Sequence, residues 1–164
     1  MKIDPISLIL NKNKKLDKKF YFISGNEITL IYKIKEIILD FFKTEAGIST
    51  KIIKDIGVYK NDYGLFENRF VYLVSDINNI DNNILDNASK DENIFVYVSE
   101  NSPRNKNVKN IFLKREDSYL IDCYELSKES KLKIINSYLD SKNLSLEKEV
   151  YWDLLDLLDN KYLF

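Results

Sequence analysis

Histidine is absent from the 164 residues, and cysteine occurs once, at Cys123. Without an imidazole there is no Ser-His-Asp triad, and with a single thiol there is neither an internal disulfide nor a Cys/His zinc pattern. Cys123, set among Leu120, Ile121 and Tyr124, reads as a small core residue rather than a reactive thiol. Glycine is scarce as well. The four glycines, Gly25, Gly47, Gly57 and Gly64, never fall into a G-x-G-x-x-G spacing, which excludes the dinucleotide fingerprint. No apolar run approaches the ~20 residues needed to span a bilayer. Met1-Lys2-Ile3-Asp4-Pro5 also lacks the apolar region of a signal peptide. The expectation is a soluble, cytoplasmic protein with no membrane partner. Charge is not one-sided either: 25 basic residues stand against 26 acidic ones, so no global field favours a phosphate backbone.

What is present suffices for a folded globule. An apolar fraction of 45%, with 13% aromatic, supports one domain with a sizeable core and at most a small appendage. Residues 5–10 read as a short helix with Pro5 in its first turn, followed by a polar connection over 11–19. Phe20-Tyr21-Phe22-Ile23-Ser24, closed by Gly25, reads as a buried strand. Asn26 then serves as a helix cap and Glu27 suits the first turn. Ile28, Ile31, Ile34, Ile38 and Phe41 or Phe42 recur at helical spacing. Strand, tight turn and amphipathic helix in succession open a parallel α/β unit.

Further strands are expected at 69–75, 94–98 and 119–124. Short helices are expected within 76–88, with Ile77, Ile80, Ile84 and Leu85 spaced for one face, and within 104–114, with Val108 and Ile111 inward. Continuous apolar strands imply a sheet covered on both faces. Residues 44–62 contain Ile52, Ile53 and Ile56, which fit one short element of either type. After Glu125 the texture becomes helical. Ser127 caps a helix to Lys142 carrying Leu132, Ile135, Tyr138 and Leu139. Ser145 caps another over 146–158, with Val150, Leu154, Leu157 and Leu158 inward and Trp152 on another face. The fold class is therefore α/β, a mainly parallel sheet with helices on both faces, followed by a small helical segment.

The first strand–helix turn is where an NTPase would keep its phosphate loop. Ser24-Gly25-Asn26-Glu27-Ile28-Thr29 offers one glycine, no Gly-Lys-Ser/Thr, and a carboxylate where a triphosphate would meet the helix N-terminus. A second stretch, Asp62-Tyr63-Gly64-Leu65-Phe66-Glu67-Asn68-Arg69, carries two large adjacent hydrophobes just ahead of a strand. Leu65 and Phe66 either fold back to cap the core or stand out as anchors for a partner's pocket. Two other functions have candidate residues. A small Mg²⁺-dependent nuclease or phosphotransferase would draw on carboxylates such as Asp76 at a strand end and Asp122 within one. Asp76 is equally a turn or cap residue, and Asp122 equally the polar face of an edge strand. A nucleic-acid-binding accessory module would draw on Lys12, Lys14, Lys15, Lys18 and Lys19. That run lacks interleaved aromatics and reads equally as a solvated connection.

Taken in order, these features resemble the N-terminal half of the delta subunit of the bacterial DNA polymerase III clamp loader. The features are Gly25-Asn26-Glu27 with Leu30 on the next helix, Gly64-Leu65-Phe66 before a strand, the strands at 94–98 and about Cys123-Tyr124, and the helices from Leu132 and from Leu146. In that family a Gly-Asn/Asp-Asp/Glu-x-x-Leu turn replaces the phosphate loop of an AAA+ fold. A Ser/Gly-Leu-Phe element forms the wedge that opens the ring-shaped sliding clamp. The resemblance implies a degenerate AAA+-like domain over 1–126 and a partial helical lid over 127–164. It implies no catalytic residue, no metal and no cofactor, and a wedge at Leu65 and Phe66 flanked by Gly64. The implied partners are the sliding clamp (beta), other clamp-loader subunits where a C-terminal collar is present, and DNA only indirectly.

Overall fold

The computed structural model describes residues 1–11, 15–59, 69–100 and 105–157. Among these the chain runs β1 (Lys2–Ile3), α1 (Pro5–Leu10), β2 (Phe20–Gly25), α2 (Ile28–Thr44), β3 (Ser49–Ile53) and a 3₁₀ turn (Ile56–Val58). It continues through β4 (Phe70–Val74), α3 (Asn82–Ala88), β5 (Ile94–Glu100), α4 (Asn105–Lys114), β6 (Ser118–Cys123), α5 (Lys128–Lys142) and α6 (Lys148–Leu157). The strands form one sheet in the order β1-β6-β2-β5-β4-β3, and every neighbouring pair is parallel.

Side-chain alternation sorts each strand between two cores. Tyr21, Ile23, Val71, Val96 and Ile121 face a largely aliphatic layer with Ile6 and Leu8 of α1, Leu30, Ile31, Ile34 and Ile38 of α2, and Ile134 of α5. Phe20, Phe22, Phe70, Tyr72, Phe95 and Tyr97 face the other side, against Leu85 of α3 and Val108 and Phe112 of α4. This second layer is built from rings: Phe22 stacks on Phe112 at 5.1 Å and Phe20 on Phe95 at 5.5 Å. Full burial of each such side chain is worth about 1.5–3 kcal/mol. Because both faces are covered, β2, β4 and β5 read as unbroken apolar runs rather than alternating ones.

Strand β2 lies between β5 and β6. Helix α2 leaves β2 over the aliphatic face while α4 leaves β5 over the aromatic face, so the direction of the connections changes between these two strands. In open parallel sheets that change opens a crevice at the carboxyl ends of the strands, the usual ligand position.

Several expectations need correction. Asn26 is not the cap of α2: Glu27 occupies the N-cap position, and its side chain makes no capping bond. Among the described residues of region 44–62 there are two short elements, β3 and the 3₁₀ turn, rather than one. Ile77 and Ile80 are buried but precede α3, which starts after Asp81 accepts the Ile84 N–H at 2.8 Å. Asp122 does not belong to an edge strand, because β1 pairs with β6 outside it. On α5, Ile134 and Ile135 are the buried pair while Tyr138 is exposed. On α6, the inward residue is Leu155, and Val150 and Leu157 are exposed; Leu158 lies outside the described residues. The Ser127 cap is as expected, its Oγ accepting the Ser130 N–H at 3.2 Å.

Candidate functional site

The connection from β2 to α2 consists of Asn26 and Glu27 alone. A phosphate-cradling loop of the G-x-x-x-x-G-K-[ST] type needs several residues between strand and helix so that successive N–H groups can wrap an anion. Two residues leave nothing to wrap. The turn is instead fastened to β6: the Glu27 N–H donates to the Cys123 carbonyl at 3.1 Å, and Gly25 stands opposite Cys123 in the strand register. A Cβ at Gly25 would lie 1.7 Å from that carbonyl oxygen. Glycine is therefore demanded here by the neighbouring strand, with no phosphate involved. Leu30, the last residue of the degenerate motif, is fully buried on the core-facing side of α2.

Gly64, Leu65 and Phe66 lie outside the described residues. The residues on either side of 60–68 are described, and they converge. Tyr59 donates its hydroxyl proton to Asp91 Oδ2 at 2.9 Å and accepts from Asn93 Nδ2 at 2.6 Å. On the far side, the Phe70 N–H donates to Asn93 Oδ1 at 2.7 Å, and Arg69 Nε donates to the Glu92 carbonyl at 2.8 Å. Asn93 is 1% exposed, and the two ends it holds are 34 and 23 residues away in sequence. Burial raises the Tyr59 phenol above its ordinary range, and the bond to Asp91 adds to this. The Lys19 ammonium donates to the carbonyls of Ser89 and Asp91, which fixes residues 89–93 to the start of β2. Sequence reasoning missed this cluster, since Asn93 looks like any polar residue ahead of a strand.

The two carboxylates considered for metal chemistry are not brought together. Asp76 follows β4 and Asp122 sits on β6, with β5 and β2 between them, a separation of three strand spacings or about 14 Å. Asp76 accepts the Asn78 N–H at 2.8 Å in a local turn. Asp122 is bound by Lys109 at 2.6 Å and Lys2 at 2.9 Å. Burial raises its pKa, but the two ammonium groups outweigh that effect and hold the carboxyl below the usual range. Among the described residues no group of three His, Cys, Asp or Glu side chains could hold a metal ion. Burial pushes the Cys123 thiol up to about 12, so it is not nucleophilic at neutral pH. The lysine run is divided: Lys19 is committed to carbonyls, Lys18 lies 5.9 Å from the Tyr119 ring centre, and Lys12 and Lys14 lie outside the described residues. Among the described residues no helix is long and apolar enough to cross a membrane.

This arrangement, with helix α2 following the central strand β2 directly, matches solved structures over nearly the whole chain. The fold is AAA+-like. The chain is similar to the Bacillus subtilis DNA clamp loader delta protein (YqeN), with a TM-score of 0.59 and 12% identity over 96% of this chain and 53% of that one. It is similar also to AMPPCP-bound DnaA from Aquifex aeolicus, with a TM-score of 0.54 and 16% identity over 96% of this chain and 56% of that one. The chain thus spans about half the length of these two proteins. No protein-family model matches the sequence, and no curated protein matches it either.

Proposed function

We propose that this chain is a non-catalytic, delta-type clamp-loader subunit or a part of one, which binds and opens the DNA sliding clamp during replication. The fold alone is shared with a nucleotide-bound initiator as well as with a clamp-loader delta protein. The observation that carries the choice is the two-residue turn at Asn26 and Glu27, closed onto the Cys123 carbonyl. It supports a domain that has given up its phosphate loop and keeps the sheet as a scaffold. In this reading residues 1–126 are the degenerate AAA+-like domain and 127–164 a partial lid. Leu65 and Phe66, following Gly64, form the hydrophobic wedge. Burying two such anchors supplies about 3–6 kcal/mol by transfer values, a large part of the ~8 kcal/mol of a micromolar complex. Other loader subunits would join through a C-terminal collar where one is present, and DNA would be met through the clamp.

The test is direct binding of the purified chain to the sliding clamp of the same organism, by surface capture or calorimetry. A complex in the micromolar range or tighter that disappears in a Leu65→Ala/Phe66→Ala variant is expected. Absence of any complex with the clamp would sink the reading.

A further inference from the structure

Helix α6 is held to the rest of the protein by little of its surface. Of its ten residues Leu155 alone is buried. Its polar ties to α5 are exposed: Tyr151 Oη donates to Asn136 Oδ1 at 2.7 Å, and Lys128 pairs with Asp156 at 2.6 Å. Exposed bonds of this kind add little. Isolated helices below about 12–15 residues are marginal in water and depend on packing of an apolar face. Helix α6 has such a face, and it is turned to solvent. Val150, Leu154 and Leu157 recur at i, i+4 and i+7, with Val150 49% and Leu157 82% exposed and Leu154 half-buried. Leu146, just ahead of the helix, is exposed as well. We propose that this stripe is the docking surface for an amphipathic helix of a partner protein, one that carries Lys or Arg on both sides of its own apolar stripe. The proposal does not depend on clamp binding.

Charge identifies the partner. Between Leu146 and Leu157 stand four acidic residues, Glu147, Glu149, Asp153 and Asp156, and one basic residue, Lys148. By helical spacing Glu149 and Asp153 lie along one edge of the stripe and Glu147 along the other, whereas Lys148 falls on the far side. All four carboxylates are exposed. Among the described residues Asp156 alone of the four is in an ion pair, so the rim that faces a partner is uncompensated negative charge. A second copy of α6 would bring the same acidic rims together, and like charges across a helix pair are unfavourable. A phosphate backbone is repelled for the same reason. An apolar stripe with basic rims satisfies both the leucines and the carboxylates, which is how flanking charges select partners in helix pairs.

The test uses the full chain and two synthetic helical peptides of about three heptads, both with Leu along one stripe, one with Lys and the other with Glu on the flanks. Fluorescence anisotropy of the labelled peptides gives the affinities. The Lys-flanked peptide is expected to bind at ~10–100 μM, as small interfaces do. Its advantage over the Glu-flanked peptide should be about 10-fold, the scale of four exposed ion pairs, and should shrink at about 1 M salt, where screening acts within about 3 Å. Glu149→Lys/Asp153→Lys should reverse the preference, and Val150→Ser/Leu157→Ser should abolish binding of both peptides. No binding of the Lys-flanked peptide at ~1 mM, the weak end of measurable affinity, overturns the proposal. So do equal affinities for the two peptides, or an unchanged preference in Glu149→Lys/Asp153→Lys. Undiminished binding to Val150→Ser/Leu157→Ser would place the contact elsewhere and have the same consequence. Should the serine variant lose α6 altogether, the charge-reversal variant, which keeps the leucines, still decides. Sedimentation equilibrium covers the remaining occupant: a parent chain that is dimeric and becomes monomeric in Val150→Ser/Leu157→Ser would show that a second copy sits on the stripe, and the proposal would fall.

Discussion

Gly25 and Cys123 face each other across β2 and β6 so closely that a Cβ on Gly25 would lie 1.7 Å from the Cys123 carbonyl oxygen and 2.4 Å from its carbon. Both obstructing atoms are backbone, inside a sheet that cannot open locally without breaking its ladder. Gly25→Ala should therefore cost at least about 3 kcal/mol, the upper end for overpacking. Urea unfolding followed by circular dichroism measures it. A loss under about 1 kcal/mol would mean that β6 can retreat from the turn, because surface-like tolerance has that size. Gly47, which has a positive φ of 63° and open space around its Cβ position, offers a contrast: Gly47→Ala suffers backbone strain alone, about 1 kcal/mol.

The same closeness governs nucleotide binding. With Glu27 N–H committed to Cys123 and only Asn26 and Glu27 between strand and helix, a triphosphate would find no loop around it and a carboxylate at the helix N-terminus. Titration with ATP and Mg²⁺ in a calorimeter is expected to give no heat of binding at millimolar nucleotide. Micromolar affinity removed by Thr29→Ala would overturn this.

How legible these features were in the sequence depends on how local their causes are. Strands β2, β4, β5 and β6 announce themselves because a strand buried on both faces must be apolar at every position. Strand β1 has two residues, and its partner begins at Ser118, 117 residues from Met1, whose ammonium donates to the Ser118 carbonyl at 3.0 Å; no window on the sequence contains both. Strand β3 is an edge strand, half polar, with Ile52 76% exposed, so its apolar residues misdirect a burial argument. On helix α6 the buried stripe lies one position from the expected one, because apolar residues cover most of its circumference and Leu155 rather than Leu154 is the buried residue. At the turn, absence of a phosphate loop was readable from residue types alone. The Asn93 cluster was not, since its meaning lies entirely in partners far along the chain.

Two hydroxyls give a test of burial without partners. Tyr97 Oη and Ser24 Oγ are buried, and neither finds a hydrogen-bond partner among the described residues. Burial raises the Tyr97 phenol well above its ordinary range. A buried polar group left unpaired costs about 1–3 kcal/mol, so removing it should help. Tyr97→Phe is expected to raise the melting temperature by about 2–4 °C, which corresponds to ~1 kcal/mol in a domain of this size. Ser24→Ala should act in the same direction. Tyr59→Phe should do the opposite, since that hydroxyl is bonded on both sides. A drop in stability for Tyr97→Phe would mean that its hydroxyl is paired in solution.

Asp122 sets an acid limit on stability. Its carboxylate, 15% exposed in its side chain, is held by Lys109 at 2.6 Å and Lys2 at 2.9 Å. Burial works against the charge, but the two ammonium groups prevail and the folded carboxyl titrates below its unfolded value. A carboxyl depressed on folding contributes stability that is fully present above its unfolded pKa and disappears as pH falls through its folded pKa. Lys109 shifts the other way: burial lowers it, but the bonds to Asp122 and Tyr124 raise it above the ordinary lysine value. Its contribution is present below the unfolded lysine pKa and is lost as pH rises through the folded one. The wild-type chain should thus exceed Asp122→Asn in stability by a constant margin between about pH 5 and 9, since ordinary Asp and Lys titrate near 3.9 and 10.4. That margin should be about 1–2 kcal/mol, between the values for exposed and fully buried pairs. Below pH 4 the two unfolding curves should converge, because the protonated aspartic acid no longer pairs with either lysine. Carboxylates elsewhere titrate alike in both chains and cancel in the difference. A margin that persists unchanged to pH 2 would show that Asp122 acts through packing alone, and the ion pair with Lys109 would then have no part in holding β6.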